Sequence, residues 1–404
     1  MDSQPRGADW RSILLLIFSL SAITLTILTA ISMLLLLVLD KNILPGLREM
    51  NTSPLVTILA ASALILTGVL LAPAAWLSLG RLRGREVRPL SFPALRPWAW
   101  IAIPGLWILA MVAATVFYDT PGAGWYVPLL HFLSVGLPIY LVIRIGANRI
   151  PLGSSQRAWG VFGIGMTISP FLAVIAELIL VVFGLVIVGV YLGVNPEKAF
   201  DFQRLADQIE GAPDLESLLL LIGPLINNPL VLMGALAFLS FFVPVFEETF
   251  KSVGVWLVAD RLASPAQGFA LGLVSGAGFA LAESLFASIT PDNTWALALS
   301  MRAVSGSMHM LAAGLVGWGI ANARLEKRYL RLAGMVLLAM SLHGAWNAGA
   351  VLTVAGGLRV MLAMPGFDIL GTLFMLGGMG LLFILMAGMF VALFVINGKL
   401  GGVK

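Results

Sequence analysis

Residues 232–258 read LMGALAFLSFFVPVFEETFKSVGVWLV, an apolar run with charged side chains near its middle. The run is longer than the roughly 20 apolar residues that a transmembrane helix needs. It therefore predicts a membrane-spanning helix that carries Glu247, Glu248 and Lys251 at bilayer depth. Ionisable groups there are costly, so they usually face one another or a water-filled cavity, and they usually mark a functional site.

The composition of the whole chain agrees with a membrane protein. Hydrophobic residues make up 59% of the 404 residues and charged residues 11%, whereas an average soluble domain is about 25% charged. We predict an all-α fold, a polytopic helical membrane protein with about ten transmembrane helices. The predicted spans lie near residues 12–39, 54–79, 98–118, 126–146, 159–192, 232–258, 266–290, 299–321, 330–353 and 368–397.

The segment before residue 232 contains the longest polar stretch. Residues 195–216 combine carboxylates with Phe200 and Phe202, which is typical both of a short amphipathic helix at the outer face and of a solvated acidic linker. The apolar piece 218–226 is interrupted by glycine and proline, which favours a re-entrant or interfacial segment over a crossing. We predict an N-terminal membrane region, 1–231, and a C-terminal catalytic membrane core, 232–404, with its motifs within 246–347.

The basic residues predict the orientation in the membrane. Most of the 24 Lys and Arg residues fall in alternate loops, and cytoplasmic loops carry the excess of such residues. We therefore expect a multi-pass protein of the cell membrane with both termini cytoplasmic. The net charge of +4 is spread over these loops, which indicates the lipid bilayer, not nucleic acid, as the anionic partner. The absence of Cys excludes disulfides, thiolate ligands and a cysteine nucleophile.

Three later predicted spans add further ionisable residues. Glu283 lies one turn after Phe279 in a run of small residues, which let membrane helices approach closely. The next span contains an isolated His309, and the one after it contains His343 with Asn347 one turn later. An amide donor beside an imidazole on one helix face suits an oxyanion site. We expect these side chains to meet the first pair around shared water.

The charged residues within the predicted spans are expected to find partners. Lys251 follows Glu247 and Glu248 by one helical turn, so it is predicted to form a structural ion pair with at least one of them. Two adjacent carboxylates in a low dielectric resist ionising together, which provides an acid and a base from one residue type. Arg302 is expected to extend its side chain to the outer interface.

Two hydrolytic mechanisms are compatible with this set. In the first, a divalent metal such as zinc is held by carboxylate and imidazole with one position left to water. The candidate ligands are Glu248, Glu283, His309 and His343. In the second, no metal takes part: a glutamate draws a proton from water, which attacks a carbonyl while His343 and Asn347 stabilise the oxyanion. The sequence leaves both open.

The succession of motifs resembles the PrsW family of bacterial intramembrane proteases, relatives of the CAAX prenyl proteases and bacteriocin-processing enzymes. The motifs are Glu247-Glu248-x-x-Lys251, Phe279-x-x-x-Glu283, an isolated His309 and His343-x-x-x-Asn347. Those relatives have Glu-Glu-x-x-x-Arg and Phe-x-x-x-His, so Lys251 stands one residue earlier than their Arg and Glu283 replaces their His. Both departures fit the PrsW branch. The resemblance covers about residues 232–353.

The resemblance implies hydrolysis of a peptide bond in a membrane-anchored protein, with an anti-sigma factor as a candidate substrate. The implied roles are Glu247 as general base, Glu248 as its partner or a ligand, Glu283 as a second water or metal contact, His309 as a ligand or proton relay, and His343 with Asn347 as the oxyanion site. The family is often described as metalloproteases, whereas the CAAX relatives work through a glutamate, so the resemblance keeps both mechanisms open.

The alternative function is a proton- or cation-coupled membrane transporter, because carboxylates and imidazoles at mid-bilayer also form ion relays. The sequence shows no internal repeat of the kind common in transporters, and its buried charges are concentrated in one half. A third interpretation is a non-catalytic membrane scaffold. The missing repeat and the concentration of charges argue against the transporter, and the intact set of Glu, His and Asn argues against the scaffold.

Overall fold

The computed structural model describes residues 9–39, 53–363 and 366–402, and the side chains of Leu215 and Glu216 are not described. The helices are α1 (Trp10–Leu39), α2 (Pro54–Leu82), α3 (Ala99–Phe117), α4 (Ala123–Gly146), α5 (Ser155–Met166), α6 (Ile168–Val194), α7 (Pro196–Glu210), α8 (Leu215–Ile226), α9 (Pro229–Ala237), α10 (Val243–Lys251), α11 (Val253–Trp256), α12 (Pro265–Ala287), α13 (Trp295–Glu326), α14 (Tyr329–Leu362) and α15 (Ile369–Leu400). A π-helical segment, Phe238–Phe242, joins α9 to α10, and a 3-10 turn covers Ala259–Arg261.

The all-α prediction is confirmed. Among the described residues, ten helical segments are long and apolar enough to cross a membrane, which is the predicted number. The strands β1 (Pro89–Ser91) and β2 (Pro151–Ser154) form one short antiparallel pair that joins Pro89 to Ser154. The polar stretch is the helix α7, which has no buried residue, and the interrupted piece after it is the short helix α8.

The predicted fifth span contains a break. α5 ends at Met166 and α6 begins at Ile168. Pro170 has no backbone N–H, so it cannot bond to the Met166 carbonyl four residues earlier, and its ring crowds that carbonyl. The Thr167 hydroxyl donates to the Gly163 carbonyl at 2.7 Å. Pro170 was the sequence signal for this break.

The chain forms two compact units. Unit 1 comprises Met1–Pro170, Phe250–Ala339 and Met389–Lys404, and unit 2 comprises Phe171–Thr249 and Met340–Gly388. The predicted functional division at residues 231 and 232 stays a prediction. The predicted cytoplasmic position of both termini concerns residues 1–8 and 403–404, which lie outside the described residues, and it also stays a prediction.

Unit 1 is organised around α12 and α13. Nearly every residue of α12 from Gln267 to Leu285 is buried, as is most of α13 from Ser305 to Ala323. A Cβ atom at Gly272 would lie 2.2 Å from the Ala313 carbonyl oxygen, so only glycine permits this backbone approach. The close packing that the small residues predict is therefore present, and it places Glu283 and His309 on directly adjacent helices.

Candidate active site

Unit 2 contains a group of two carboxylates and an imidazole, Glu247, Glu248 and His343, which we call the Glu-His group. The carboxylates lie on α10 and the imidazole on α14. All three side chains are buried. His343 Nδ1 lies 2.9 Å from Glu248 Oε1, and His343 Nε2 lies 3.9 Å from Glu247 Oε2. Each ring nitrogen therefore faces a different carboxylate.

The contact with Glu248 fixes the protonation of one ring nitrogen. When Glu248 is ionised its carboxylate is an acceptor only, so the 2.9 Å bond then has its hydrogen on His343 Nδ1. His343 Nε2 then either holds a lone pair, in the neutral ring, or a second hydrogen, in the imidazolium. The 3.9 Å separation from Glu247 is longer than a hydrogen bond. It is a distance at which one water molecule can contact both groups.

The π-helical segment leaves a backbone carbonyl beside this group without its helical partner. The Val243 N–H bonds to the Phe238 carbonyl, five residues back. The Leu239 carbonyl therefore loses Val243 as its donor, and Pro244, the next residue in π register, has no N–H. The Asn347 Nδ2 group donates to the Leu239 oxygen at 2.7 Å.

A glycine on α14 permits the close helix approach that the bond from Asn347 to Leu239 requires. A Cβ atom at Gly344 would lie 2.3 Å from the Ser240 carbonyl oxygen, so any larger residue would push α14 away from the π-helical segment. Asn347 is one turn further along the same helix. One Nδ2 hydrogen of Asn347 is engaged with Leu239, and the amide retains a second one. The predicted oxyanion role of Asn347 stays a prediction.

Unit 1 contains a second group, Lys251, Glu283, Arg302 and His309, which we call the His309 group. His309 Nε2 lies 2.8 Å from Glu283 Oε2, and Lys251 Nζ lies 2.7 Å from His309 Nδ1. An ammonium only donates, so His309 Nδ1 accepts from Lys251 and His309 Nε2 carries the hydrogen toward Glu283. Lys251 Nζ also lies 4.4 Å from the centre of the Phe279 ring, a cation–π contact.

Arg302 also belongs to this group. The sequence did not predict that membership. Arg302 Nη2 forms an ion pair with Glu283 Oε2 at 2.6 Å, a contact that the sequence did not predict. The expected extension of Arg302 to the outer interface stays a prediction. The available signal was spacing, since Arg302 precedes His309 by two helical turns on α13.

Another buried histidine has structural contacts. His131 Nε2 is 2.8 Å from Ser288 Oγ, and the ring packs near Trp295 with centroids 5.7 Å apart. Trp295 Nε1 donates to the Ser288 carbonyl at 2.8 Å. His131 is thus part of the unit 1 core.

Comparison with protein families identifies the region that contains both groups. Residues 217–376 match the family model described as "PrsW family intramembrane metalloprotease". This region is similar to the PrsW family. The match includes every motif from Glu247 to Asn347, and it extends beyond the predicted residues 232–353 at both ends. No curated protein and no solved structure matches the chain.

The match to the PrsW family supports an intramembrane protease acting on membrane-embedded protein substrates, and it favours that function over the transporter alternative. Together with ten apolar helices it supports a multi-pass membrane protein. The family description also implies a metal ion, and the Glu-His group has suitable donors for one. One ligand atom from each of Glu247, Glu248 and His343 lies within 4.8 Å of the others.

Proposed function

We propose that the chain is an intramembrane endopeptidase in which Glu247 activates water for attack on a peptide bond of a membrane-anchored protein. The observation that carries this proposal is the pair of contacts made by His343. Its Nδ1 is held at 2.9 Å from Glu248, while its Nε2 faces Glu247 across 3.9 Å. One carboxylate orients the imidazole, and the other remains near enough to share a water molecule with it.

In the metal-free form of the reaction, Glu247 accepts a proton from water as the water oxygen bonds to the carbonyl carbon. Negative charge then collects on the carbonyl oxygen. His343, as an imidazolium stabilised by Glu248, donates to that oxygen through Nε2, and the second Nδ2 hydrogen of Asn347 donates as well. Glu247 returns its proton to the amine nitrogen as the C–N bond breaks. The products are a new carboxylic acid, which releases its proton to water, and a new amine.

In the metal-assisted form, Glu247 and His343 are the members of this group that would hold the ion, since carboxylate and imidazole are donor types of catalytic zinc sites, and Glu248 would orient the imidazole. A bound zinc ion supplies Lewis-acid assistance to the attacking water and the peptide carbonyl. His343 would then stay neutral, with its hydrogen on Nδ1 toward Glu248 and a lone pair on Nε2. The two forms differ in the protonation of this one nitrogen.

The His309 group is proposed as a proton relay and charge support. Its members form a continuous chain in unit 1, from Lys251 through His309 and Glu283 to Arg302. The assignment of Glu283 and His309 as metal ligands stays a prediction, as does Lys251 as an ion-pair partner of the α10 carboxylates. Both ring nitrogens of His309 are already engaged in this chain.

We propose anchored regulatory proteins such as anti-sigma factors as the substrates, and the cell membrane, with both termini cytoplasmic, as the location. The test uses full-length protein in proteoliposomes with a tagged single-span substrate. Mass spectrometry should find new peptide termini within or near the substrate span. Solute or proton flux without new termini would instead support the transporter.

The metal question is tested in the same vesicles. Cleavage that stops after rigorous chelation and returns with zinc would assign the metal-assisted form. Full cleavage after chelation, with no zinc found by elemental analysis of the protein, would assign the metal-free form.

A further inference from the structure

A groove on unit 1, unrelated to the Glu-His group, has an apolar wall and a basic end. Its volume is about 410 Å³, and α1, α5 and residues 257–261 contribute its lining. The apolar wall includes Leu14, Ile17 and Phe18 of α1, with Val161 and Ile164 of α5. This volume is within the range of ordinary small-molecule sites. We call it the inner groove.

The basic end of the inner groove has more arginines than carboxylates. Arg11, Arg157 and Arg261 line it. Arg11 pairs with Asp260 at 2.9 Å, and this contact holds the pKa of the Asp260 carboxyl below its ordinary value. The other nearby carboxylate, Asp9, lies 2.7 Å from Arg81 and 3.9 Å from Arg261. The guanidinium groups of Arg11, Arg81, Arg157 and Arg261 thus outnumber the carboxylates of Asp9 and Asp260. Net positive charge therefore remains at this end of the inner groove.

Arg157 is the guanidinium most available to an anion. Its Nη1 donates to the Arg261 carbonyl at 2.7 Å, which fixes the side chain at the rim of the inner groove. Within the described residues its Nε is buried and meets no acceptor. A buried donor without an acceptor is rare in proteins. An anion placed at this end would meet the positive charges of Arg11, Arg157 and Arg261, and among the described residues Arg157 has no carboxylate partner.

The inner groove also has a direction relative to the membrane. Trp10 is exposed at the start of α1, with the Arg11 guanidinium 5.1 Å from the centre of its ring. Exposed tryptophan and arginine at the start of an apolar helix are typical of the head-group level. From there the apolar wall follows α1 and α5 toward the hydrocarbon. The groove therefore places positive charge at the head groups and apolar surface along the acyl chains.

We propose that the inner groove binds one anionic phospholipid, with its phosphate at Arg157 and one acyl chain along Leu14, Ile17 and Val161. Charge complementarity selects an anionic lipid over a zwitterionic one, because the excess arginines lack carboxylates. The expected orientation places this lipid in the cytoplasmic leaflet, where anionic lipids attract basic segments. The proposal stands independently of the proteolytic function.

Native mass spectrometry of the full-length protein, released from mixed micelles of phosphatidylglycerol and phosphatidylcholine, tests this site. The wild-type protein should retain one phosphatidylglycerol in preference to phosphatidylcholine. Arg157→Gln should lower phosphatidylglycerol retention about fivefold, from the loss of one arginine near the head group. Arg83→Gln is the matched control, since Arg83 is exposed at the end of α2 and does not line the groove, and it should leave retention unchanged.

Ile17→Trp tests the acyl chain separately. Ile17 is exposed on the groove wall, so a larger side chain should fill the groove without disturbing the core. This variant should lower phosphatidylglycerol retention while its elution volume and thermal unfolding match the wild type. Equal retention of both lipids by the wild type would overturn the proposal. Unchanged phosphatidylglycerol retention in either folded groove variant would overturn it as well.

Discussion

His343 Nδ1 lies 2.9 Å from Glu248 Oε1 although the two residues are separated by 95 positions in the chain. Both side chains are buried. A buried carboxylate that accepts from an imidazole holds the ring in one orientation and stabilises its positive charge. Glu248 is therefore expected to act through His343, whereas Glu247 acts on water.

Glu248→Gln should separate these two roles. The amide oxygen of Gln can still accept from His343 Nδ1, but it supplies no negative charge. Cleavage of the single-span substrate should fall about 10–10⁴-fold, the range found when the carboxylate that orients a metal-bound or catalytic histidine loses its charge. Glu197→Gln, on the exposed helix α7, is the control. Wild-type cleavage by Glu248→Gln would show that Glu248 does not support His343.

Asn347 and Pro244 should be coupled through the Leu239 carbonyl. Asn347→Ala removes the donor to that carbonyl, which should lower the free energy of unfolding by about 1 kcal/mol. Adding Pro244→Ala supplies a backbone N–H that can bond to Leu239 in π register, so the double variant should recover the lost stability. Thermal unfolding in detergent measures both effects. Additive losses would contradict this account of the π-helical segment.

The cleavage rate of the same double variant tests the oxyanion role of Asn347. If Asn347 also donates to the reacting carbonyl oxygen, the recovered stability should not bring back cleavage. Recovery of both together would limit Asn347 to positioning α14 against the π-helical segment.

The sequence was sufficient for the spans and for most residues of the two groups, because the underlying signals are local. Long apolar runs report membrane crossing directly, and a charge within such a run is costly enough to be conspicuous. The small residues around Gly272 likewise predict the close approach of α12 to α13, since no side chain fits there.

Features that depend on which residues meet in space were not predictable. The pairing of Arg302 with Glu283 requires the relative rotation of α12 and α13, which periodicity alone does not determine. The π-helical segment before α10 depends on a five-residue hydrogen bond to Phe238. Pro244 indicated a local disturbance of the helix, but not its form.

Arg302→Met should destabilise unit 1. The change leaves the half-buried Glu283 without its arginine partner, and an under-satisfied carboxylate that is fully buried costs about 1–3 kcal/mol in the free energy of unfolding. We expect a loss at the lower end of this range, because the Arg302 and Glu283 side chains remain 21% and 30% exposed, so water can partly replace the lost partner. Adding Glu283→Gln should recover part of the loss, since no carboxylate then needs a partner.

Thermal unfolding again provides the measurement, with Arg324→Met, at an exposed position of α13, as the control. If Glu283→Gln made the Arg302→Met protein less stable still, the ion pair would not explain the loss.

The absence of cysteine permits a direct test of membrane orientation. Single cysteines at Arg85 and Asp207, both exposed, provide the only thiols in their variants because the chain has no Cys. A membrane-impermeant maleimide should label Asp207→Cys in right-side-out vesicles and label Arg85→Cys only after permeabilisation. The reverse pattern would place the arginine-rich loops outside and invert the predicted topology.

The most direct test of the catalytic account is Glu247→Gln in proteoliposomes that contain the tagged substrate. Loss of the general base should lower the cleavage rate by about 10²–10⁴-fold, while elution volume and thermal unfolding stay at wild-type values and Glu197→Gln keeps full activity. New substrate termini formed by folded Glu247→Gln protein at the wild-type rate would contradict the assignment of Glu247 as the residue that activates water.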